Sequence, residues 1–262
     1  MPWLLPFLAA GLFIWTAVTI VWTISLIIRD SSIVDIFWGL GFVALYWFIA
    51  LFWLGAGMLG ARQILLGILL TIWGLRLSIY IGRRNWGKGE DFRYARWREE
   101  AGSAWWWRSY FKVFLLQGTI MWLVSLPLLV TLASSAPQTL TWLDGLALSV
   151  WLVGFIFEAG GDWQLARFKA DPDNRGKLMT SGLWRYTRHP NYFGDAVQWW
   201  GFYLFALAAG AWWSIISPLL MTFLLRRVSG VAMLERTLKE SKPGYKAYIN
   251  QTNAFFPGRP RQ

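Results

Sequence analysis

The sequence predicts an all-α membrane protein with seven transmembrane helices, its N-terminus outside and its C-terminus in the cytoplasm. Of the 262 residues, 56% are hydrophobic and only 15% are charged. Several apolar runs reach about 20 residues, the length that a helix needs to cross a bilayer. Lys and Arg are confined almost entirely to three segments outside these runs, which is the distribution that the positive-inside rule describes.

The apolar runs define the predicted helices, which together form one integral membrane domain over 1–262. We expect the first run to be a retained helix, because it lacks the basic start and the small-residue cleavage site of a signal peptide. Very few residues separate the last two runs, which predicts a tight helical hairpin. The predicted spans are 3–28, 33–54, 62–81, 111–134, 142–166, 191–209 and 212–227, followed by a cytoplasmic tail over 228–262.

Positive charge determines the predicted orientation. Segments 82–112, 167–190 and 226–262 hold eight, six and eight Lys or Arg residues, whereas the connections 135–141 and 210–211 hold none. The three basic segments are therefore predicted to be cytoplasmic, with Arg62 a minor exception on the outer side. The net charge of +11 follows from this topology, so we predict no nucleic-acid partner.

Composition excludes several kinds of chemistry. Without cysteine, the chain has no disulfide, thiolate nucleophile or cysteine-ligated metal. A single histidine, His189, excludes zinc sites built on paired histidines, and we predict no metal. Residues 55–60 match GxGxxG, the glycine pattern of dinucleotide-binding folds. In those folds the pattern follows a strand and an acidic residue lies about 20 positions on, whereas here it follows an apolar helix and has no such acidic residue. We interpret them as an outer loop.

A basic loop meets the start of an apolar helix at Pro190. Proline is tolerated at the first position of a helix, because its missing N–H would be unpaired there anyway. The exposed N–H groups and the dipole of a helix start favour an anion, and Arg185 and Arg188 stand beside it. Polar side chains that share one face of this helix follow, at Asn191, Asp195 and Gln198. We expect an anionic cofactor to bind here.

Ionisable residues inside apolar runs are costly and are therefore functional candidates. Glu158 and Asp162 lie four residues apart and share a helix face, where the alternative role is to hold helices together. For Asp35, the alternative is a pair with Arg29 near the interface. For Arg76, it is a side chain that extends to the cytoplasmic surface. We favour a polar intramembrane pocket that opens to the cytoplasm.

Two cytoplasmic segments add further candidates. Residues 83–94 mix cations, glycines and aromatics, which suit phosphate oxygens and a purine ring. The alternative is a solvated loop that touches anionic headgroups. In the tail, Tyr245 and Tyr248 are three residues apart and therefore share a helix face. The alternative role for this helix is to lie on the membrane surface.

The stretch Arg188-His-Pro-Asn-Tyr-Phe-Gly-Asp195 resembles the steroid 5-alpha-reductase and sterol-reductase superfamily. It is most similar to a bacterial branch of uncharacterised membrane proteins with a steroid-reductase-like C-terminal domain. Residues 32–39, 87–94, 244–248 and 255–257 support the resemblance. The superfamily also contains isoprenylcysteine carboxyl methyltransferases, which share an Arg-His-Pro-x-Tyr core and bind S-adenosylmethionine. Asn191 and the Gly194-Asp195 ending match the reductases better.

The resemblance implies an NADPH-dependent oxidoreductase that transfers hydride to a C=C bond of an apolar enone, as 3-oxo-5-alpha-steroid 4-dehydrogenases do. Asn191 would hold the nicotinamide end, and Trp199 would line the cofactor pocket. Asp35 would be the catalytic acid in place of the family's Glu, with Trp73 nearest to the position of the family's Tyr. With the residues argued above, the predicted cofactor-binding set is Arg76, Arg84, Asn85, Asp162, Lys169, Lys177, Arg188, His189, Asn191, Tyr192, Asp195, Trp199, Glu235, Tyr245 and Tyr248.

Two other functions stay open. An S-adenosylmethionine-dependent membrane methyltransferase needs no site for the 2'-phosphate of NADPH. The other is a non-catalytic lipid-binding membrane protein, for which we expect no affinity for a nucleotide. For the leading hypothesis we expect a steroid-like or other lipid substrate, contacts with membrane lipids, a monomer, and a place in the bacterial inner membrane.

Overall fold

The described part of the chain is built from helices. The computed structural model describes residues 3–53, 59–134, 139–228 and 230–261, and every regular element in these ranges is helical, which confirms the predicted all-α class. The α-helices are α1 (Leu4–Ile28), α2 (Ile33–Phe48), α3 (Ala61–Asn85), α4 (Phe92–Ala101), α5 (Trp105–Ser109), α6 (Leu116–Val124), α7 (Leu126–Ala133), α8 (Trp142–Ala170), α9 (Pro190–Ala208), α10 (Ile216–Phe223), α11 (Val231–Ser241) and α12 (Tyr245–Gln251). π-Helical turns at Ile49–Trp53, Tyr110–Leu115 and Leu224–Val228 extend or join them.

Within the described ranges, five helices are long and apolar enough to cross a membrane, namely Leu4–Ile28, Ile33–Leu51, Ala61–Asn85, Trp142–Ala170 and Trp212–Ser241. A sixth span results if Phe92–Val124 and Leu126–Ala133, which meet at a bend of 44°, are counted together. The predicted span 191–209 is helical as α9 but is not among these six, because its polar residues lower its hydropathy. The number seven and the orientation stay predictions. Residues 55–58 of the GxGxxG stretch lie outside the described residues.

The chain divides into two compact units. The first comprises Met1–Leu140 with Ala208–Ser214, and the second comprises Thr141–Leu207 with Ile215–Gln262. Each unit contains predicted site residues. Asp35, Arg76, Arg84 and Asn85 belong to the first unit, and the other candidates belong to the second.

In the first unit, α2 and α3 pack closely through glycines. A Cβ atom on Gly39 would come within 2.3 Å of the Gly74 carbonyl oxygen, so the two backbones approach as only small residues permit. Ser78 adds polar contacts beside them, since its hydroxyl donates to the Ile36 carbonyl at 2.7 Å and accepts from the Leu40 N–H at 3.0 Å. These contacts fix α2, which carries Asp35.

In the second unit, α8 and α9 pack antiparallel through a similar approach. A Cβ atom on Gly194 would lie 2.3 Å from the backbone nitrogen of Glu158, and one on Gly154 would lie 2.6 Å from the Gly194 carbonyl oxygen. At one end of the contact Gly161 faces Pro190, where an added Cβ atom would lie 3.0 Å from the ring. The close contact brings the polar faces of the two helices together.

Candidate functional site

The loop before α9 is fastened to the end of the chain. The Arg188 N–H donates to the Asn253 carbonyl at 2.9 Å, and the Gly258 N–H donates to the Tyr186 carbonyl at 3.0 Å. Between them, the Thr187 hydroxyl donates to the Phe255 carbonyl at 2.9 Å. α9 begins at Pro190, as predicted. The residues that resemble the reductase motif and those of the tail therefore form one folded structure.

The Arg188 side chain is buried among protein groups. Its Nε and Nη2 atoms donate to Glu235 Oε1 at 2.9 and 2.6 Å, and Nη1 donates to the carbonyls of Ile249, at 3.2 Å, and Thr252. Only 6% of Arg188 is exposed. A buried guanidinium needs such partners, because an unpaired charge in the interior is costly. Arg188 thus links the motif to α11 and α12.

His189 lies against the same carboxylate. Its Nε2 atom is 3.3 Å from Glu235 Oε1, and its ring stacks on that of Tyr192 with the centroids 5.8 Å apart. Burial lowers the pKa of His189 below its usual 6.5, and the Arg188 charge adds to this effect, while the hydrogen bond and charge of Glu235 oppose it. The imidazole is therefore neutral at neutral pH.

Two side-chain pairs bridge α8 and α9. Asn191 Nδ2 donates to Asp162 Oδ1 at 3.0 Å, and Gln198 Nε2 donates to Glu158 Oε2. Asp195, between them on α9, is 8% exposed. The faces that the sequence spacing predicted on α8 and α9 thus meet each other. This geometry agrees with both roles considered for Glu158 and Asp162, since a polar site here also holds the helices together.

The tail tyrosines point inwards. The Tyr248 hydroxyl donates to the Trp184 carbonyl, and Trp184 Nε1 donates to the Gly161 carbonyl at 3.1 Å. Tyr245 is 2% exposed, and burial raises its pKa to about 12. Because both rings are buried, the shared tyrosine face of α12 packs inside the second unit.

Three further candidates belong to the second unit. Lys169, at the end of α8, and Lys177, in the following loop, are exposed. Trp199 is fully buried, with its ring centroid 5.4 Å from that of Phe202.

In the first unit, Asp35 has partners that the sequence analysis missed. Its Oδ2 atom accepts from Arg93 Nη2 at 2.7 Å, and Oδ1 accepts from the Tyr94 hydroxyl at 2.7 Å. Gln117 Nε2 donates to the same hydroxyl at 3.2 Å. The pair with Arg29 was therefore wrong as an alternative. Arg29 instead ends α1 in a left-handed conformation with φ of 56°.

The segment before α4 brings these partners to Asp35. Glu90 Oε1 accepts from the Ser31 N–H at 2.6 Å, and Asp91 caps α4 by accepting from the Arg93 N–H at 3.0 Å. Although burial alone raises the pKa of Glu90, hydrogen bonds from Arg98 and Ser31 lower it overall. The two stretches that carry the family resemblance, 32–39 and 87–94, thus contact each other. The presence of both stretches in the family resemblance was the signal in the sequence that could have indicated Tyr94 as a partner of Asp35.

The remaining candidates of the first unit lie on α3. The guanidinium carbons of Arg76 and Arg84 are 5.8 and 5.9 Å from the centroid of the Tyr80 ring, and Arg84 Nε donates to Asn85 Oδ1 at 3.2 Å. Trp73 is buried and packs on Phe42 with the centroids 5.9 Å apart. The phenol that contacts Asp35 is that of Tyr94.

Comparison with known proteins gives the family. Residues 21–252 match the family described as "Protein of unknown function (DUF1295)". The chain belongs to this family. An uncharacterized protein of Schizosaccharomyces pombe is 24% identical over 96% of this chain and 80% of its own length. Mouse 3-oxo-5-alpha-steroid 4-dehydrogenase 1 is 34% identical over 84 residues, which are 32% of this chain and 30% of the mouse protein. No solved structure matches the chain.

These similarities support the resemblance at the level of the superfamily. The family match covers most of the chain, whereas the similarity to the mouse enzyme covers about a third of each protein. With the apolar helices, they make this DUF1295 protein a steroid-reductase-like membrane protein.

Proposed function

We propose that this DUF1295 protein is an NADPH-dependent membrane reductase that transfers hydride to a C=C bond of an apolar enone, either steroid-like or another lipid. The similarity to mouse 3-oxo-5-alpha-steroid 4-dehydrogenase 1 carries this proposal, because that name specifies an oxo steroid and a reaction at a carbon–carbon bond. The reduction saturates the enone to a ketone and releases NADP⁺. The proposed reaction also needs a proton, which the protein or water supplies.

The second unit contains groups that fit this cofactor. Gln198 is fully buried, and its Oε1 atom accepts no hydrogen bond from the described residues. A buried acceptor without a donor is costly, and a carboxamide N–H of nicotinamide would satisfy it. Arg175, Lys177 and Arg185 are exposed cations of the kind that bind phosphate oxygens. When bound, NADPH supplies the hydride.

Within this site the residues divide into contacts and supports. We assign Asp162, Asn191 and Trp199 to the nicotinamide end, as the family resemblance implies. We assign Arg188, His189 and Glu235 to positioning, because their mutual contacts connect the loop before α9 to the tail. We place Tyr192, Asp195, Tyr245 and Tyr248 beside these positioning residues. We assign Lys169 and Lys177 to the cofactor phosphates. The assignment of Arg76, Arg84 and Asn85 to the cofactor phosphates stays a prediction from the sequence.

We assign the donor to the substrate carbonyl to Tyr94, with Asp35 as its partner. Hydride addition to the β-carbon of an enone places negative charge on the carbonyl oxygen, and a donor aimed at that oxygen stabilises the charge. Both carboxylate oxygens of Asp35 accept hydrogen bonds, from Arg93 and from the Tyr94 hydroxyl, so Asp35 is placed to orient the phenol. The Tyr94 hydroxyl donates to Asp35, and a substrate carbonyl oxygen would take the place of Asp35 as the acceptor.

The proposal includes the predicted topology. With the basic segments in the cytoplasm, the loop before α9 and the tail face the compartment that supplies NADPH. We keep seven spans, the bacterial inner membrane and a monomeric state as parts of the proposal.

The test is NADPH oxidation by the detergent-purified full chain with a 3-oxo-4-ene steroid and other apolar enones. Tyr94→Phe keeps the ring and removes the donor, so kcat should fall by roughly 100-fold or more, a typical contribution of acid–base catalysis. Asp35→Asn should lower kcat while the affinity for NADPH is retained. Tyr110→Phe is the matched control, because the Tyr110 hydroxyl pairs with Thr19 at 3.1 Å, away from Asp35.

Three results would count against the assignment. A Tyr94→Phe variant with normal turnover would exclude Tyr94 as the donor. An equal loss in Tyr110→Phe would indicate general damage rather than a role in the reaction. Methyl transfer from S-adenosylmethionine, with no enone reduced, would replace the proposed function by the methyltransferase.

A further inference from the structure

A cavity of about 440 Å³ opens on the first unit beside α4 and α5. Four of its eight lining residues are aromatic, and two are cations. None of these residues has a role in the proposed reduction. The principal lining residues are Trp97, Trp105, Trp107, Arg108, Phe111 and Lys112.

The two cations keep their charge available. Lys112 Nζ lies 4.3 Å from the centroid of the Trp97 ring, and the Arg108 guanidinium carbon lies 5.4 Å from that of Trp107. Aromatic faces hold cations in place without neutralising them. Among the described residues no carboxylate forms an ion pair with Arg108 or Lys112, and both are exposed.

An acid also lines the cavity, but it has its own partner. Glu100 Oε1 accepts from Arg96 Nε at 2.9 Å, one helical turn away. The exposed pair is weak, yet it offsets the negative charge of Glu100. The cavity therefore presents a net positive charge from Arg108 and Lys112.

The inner wall of the cavity is held by buried contacts. Trp105 is 3% exposed, and its Nε1 atom donates to the Ser31 hydroxyl at 3.2 Å. Arg98 lies over the same ring at 5.7 Å and is itself bound to Glu90 at 2.8 Å. A ligand would thus meet a preformed wall, which lowers the entropy lost on binding.

The outer wall resembles a membrane interface. Trp107 is 43% exposed and Phe111 is 58% exposed, next to Trp106 at 60%. Aromatic residues with Lys and Arg beside them are typical of the boundary between headgroups and acyl chains. Phe111 is also the first residue of the predicted fourth span, so the cavity adjoins the point where the chain enters the bilayer.

We propose that this cavity binds the headgroup of an anionic phospholipid. The phosphate lies between Arg108 and Lys112, and the acyl chains follow the exposed aromatic surface towards Phe111. Charge complementarity selects an anionic over a zwitterionic lipid, and the apolar wall selects a lipid over free phosphate.

Native mass spectrometry of the detergent-purified full chain tests this proposal with phosphatidylglycerol, phosphatidylcholine and inorganic phosphate. Phosphatidylglycerol should bind at one preferred site, with inorganic phosphate failing to compete. The double variant Arg108→Gln and Lys112→Gln should lose roughly 30-fold in affinity, from about 1 kcal/mol for each basic residue near a membrane and 1.4 kcal/mol for each tenfold change. Trp107→Leu should weaken binding without a change of charge.

The matched control is Arg236→Gln with Lys239→Gln, which removes one Arg and one Lys from exposed positions on α11. This control should bind phosphatidylglycerol as the unmodified chain does. Equal losses in both double variants would mean a general charge effect and overturn the site. Unchanged binding in the Arg108 and Lys112 variant, equal binding of phosphatidylcholine, or displacement by inorganic phosphate would each overturn it as well. If the double variant does not fold, Trp107→Leu with undiminished binding has the same force.

Discussion

Arg188 shows how the environment of one side chain changes its interpretation. Next to a helix start, it is a natural ligand for an anion. In the structure its guanidinium is bound by Glu235 and by backbone carbonyls of the tail, so its charge is already compensated. Sequence reasoning identified Arg188 and Glu235 as members of one site. It did not identify them as partners, because they are 47 residues apart.

His189 gives the motif a predictable response to pH. Its pKa is below 6.5 in the folded chain, mainly because of burial, whereas an unfolded histidine titrates near 6.5. Between the two values the unfolded chain binds more protons, so the free energy of unfolding is greatest above about pH 6.5 and falls as the pH decreases below it. The groups that face the imidazole are Glu235, Arg188 and Tyr192.

Thermal unfolding in detergent between about pH 7.5 and 5 measures this dependence in a range where most carboxyl groups stay ionised. His189→Gln retains a donor for Glu235 but does not titrate, so its melting temperature should vary less over the same range. A variant with the same pH dependence as the unmodified chain would show that His189 is not the responsible group.

The Asp35 site marks the limit of prediction for single residues. The sequence indicated that Asp35 is functional because a carboxylate in an apolar run is costly. Its partners Arg93 and Tyr94 follow from the fold of the segment before α4, which no local spacing reveals. By contrast, the pairs across α8 and α9 were accessible from spacing, since residues three and four apart share a helix face.

The helices were predicted more accurately than their breaks. Each apolar run corresponds to helical structure, and Pro190 marks the start of α9 as expected. The bend of 44° after α6 was not predicted, although Pro127 near the start of α7 removes a backbone donor and explains it. Helix α8 continues to Ala170, beyond the predicted end at residue 166. Polar helix ends are poorly located by hydropathy alone.

The contact between α8 and α9 leads to a direct test. Gly194→Ala places a Cβ atom 2.3 Å from the Glu158 backbone nitrogen, so the helices must separate and the polar pairs across them must lengthen. We expect a loss of about 1–3 kcal/mol in unfolding free energy, as for other overpacked sites. Gly145→Ala on α8 is the control, because nothing lies within 4 Å of its added Cβ atom.

Thermal unfolding of the two variants distinguishes packing from helix propensity. The Gly145→Ala variant should melt at the same temperature as the unmodified chain or slightly above it, since alanine favours a helix over glycine. If the melting temperature of the Gly194→Ala variant is no lower than that of the Gly145→Ala variant, α8 and α9 do not approach each other as closely as described.

For the chain as a complete protein, composition was the strongest signal. The apolar runs predicted a helical membrane protein, and the helices long enough to cross a bilayer agree. The division into two compact units was not predicted, because hydropathy reports burial in lipid or protein without indicating which helices contact each other. The match over residues 21–252 supports the superfamily that the motif at Arg188 suggested. The substrate does not follow from these features, because the similarity to a named steroid enzyme covers only 32% of this chain.

The most direct test of the proposed function is the melting temperature of the purified chain with NADPH, NADH or S-adenosylmethionine. A ligand that binds only the folded state adds about 2.7 kcal/mol to the unfolding free energy at a concentration 100 times its Kd, and this raises the melting temperature. The proposed reductase predicts a clear rise with NADPH and a smaller one with NADH, which lacks the 2'-phosphate. A rise with S-adenosylmethionine alone, or no rise with any of the three, would contradict it.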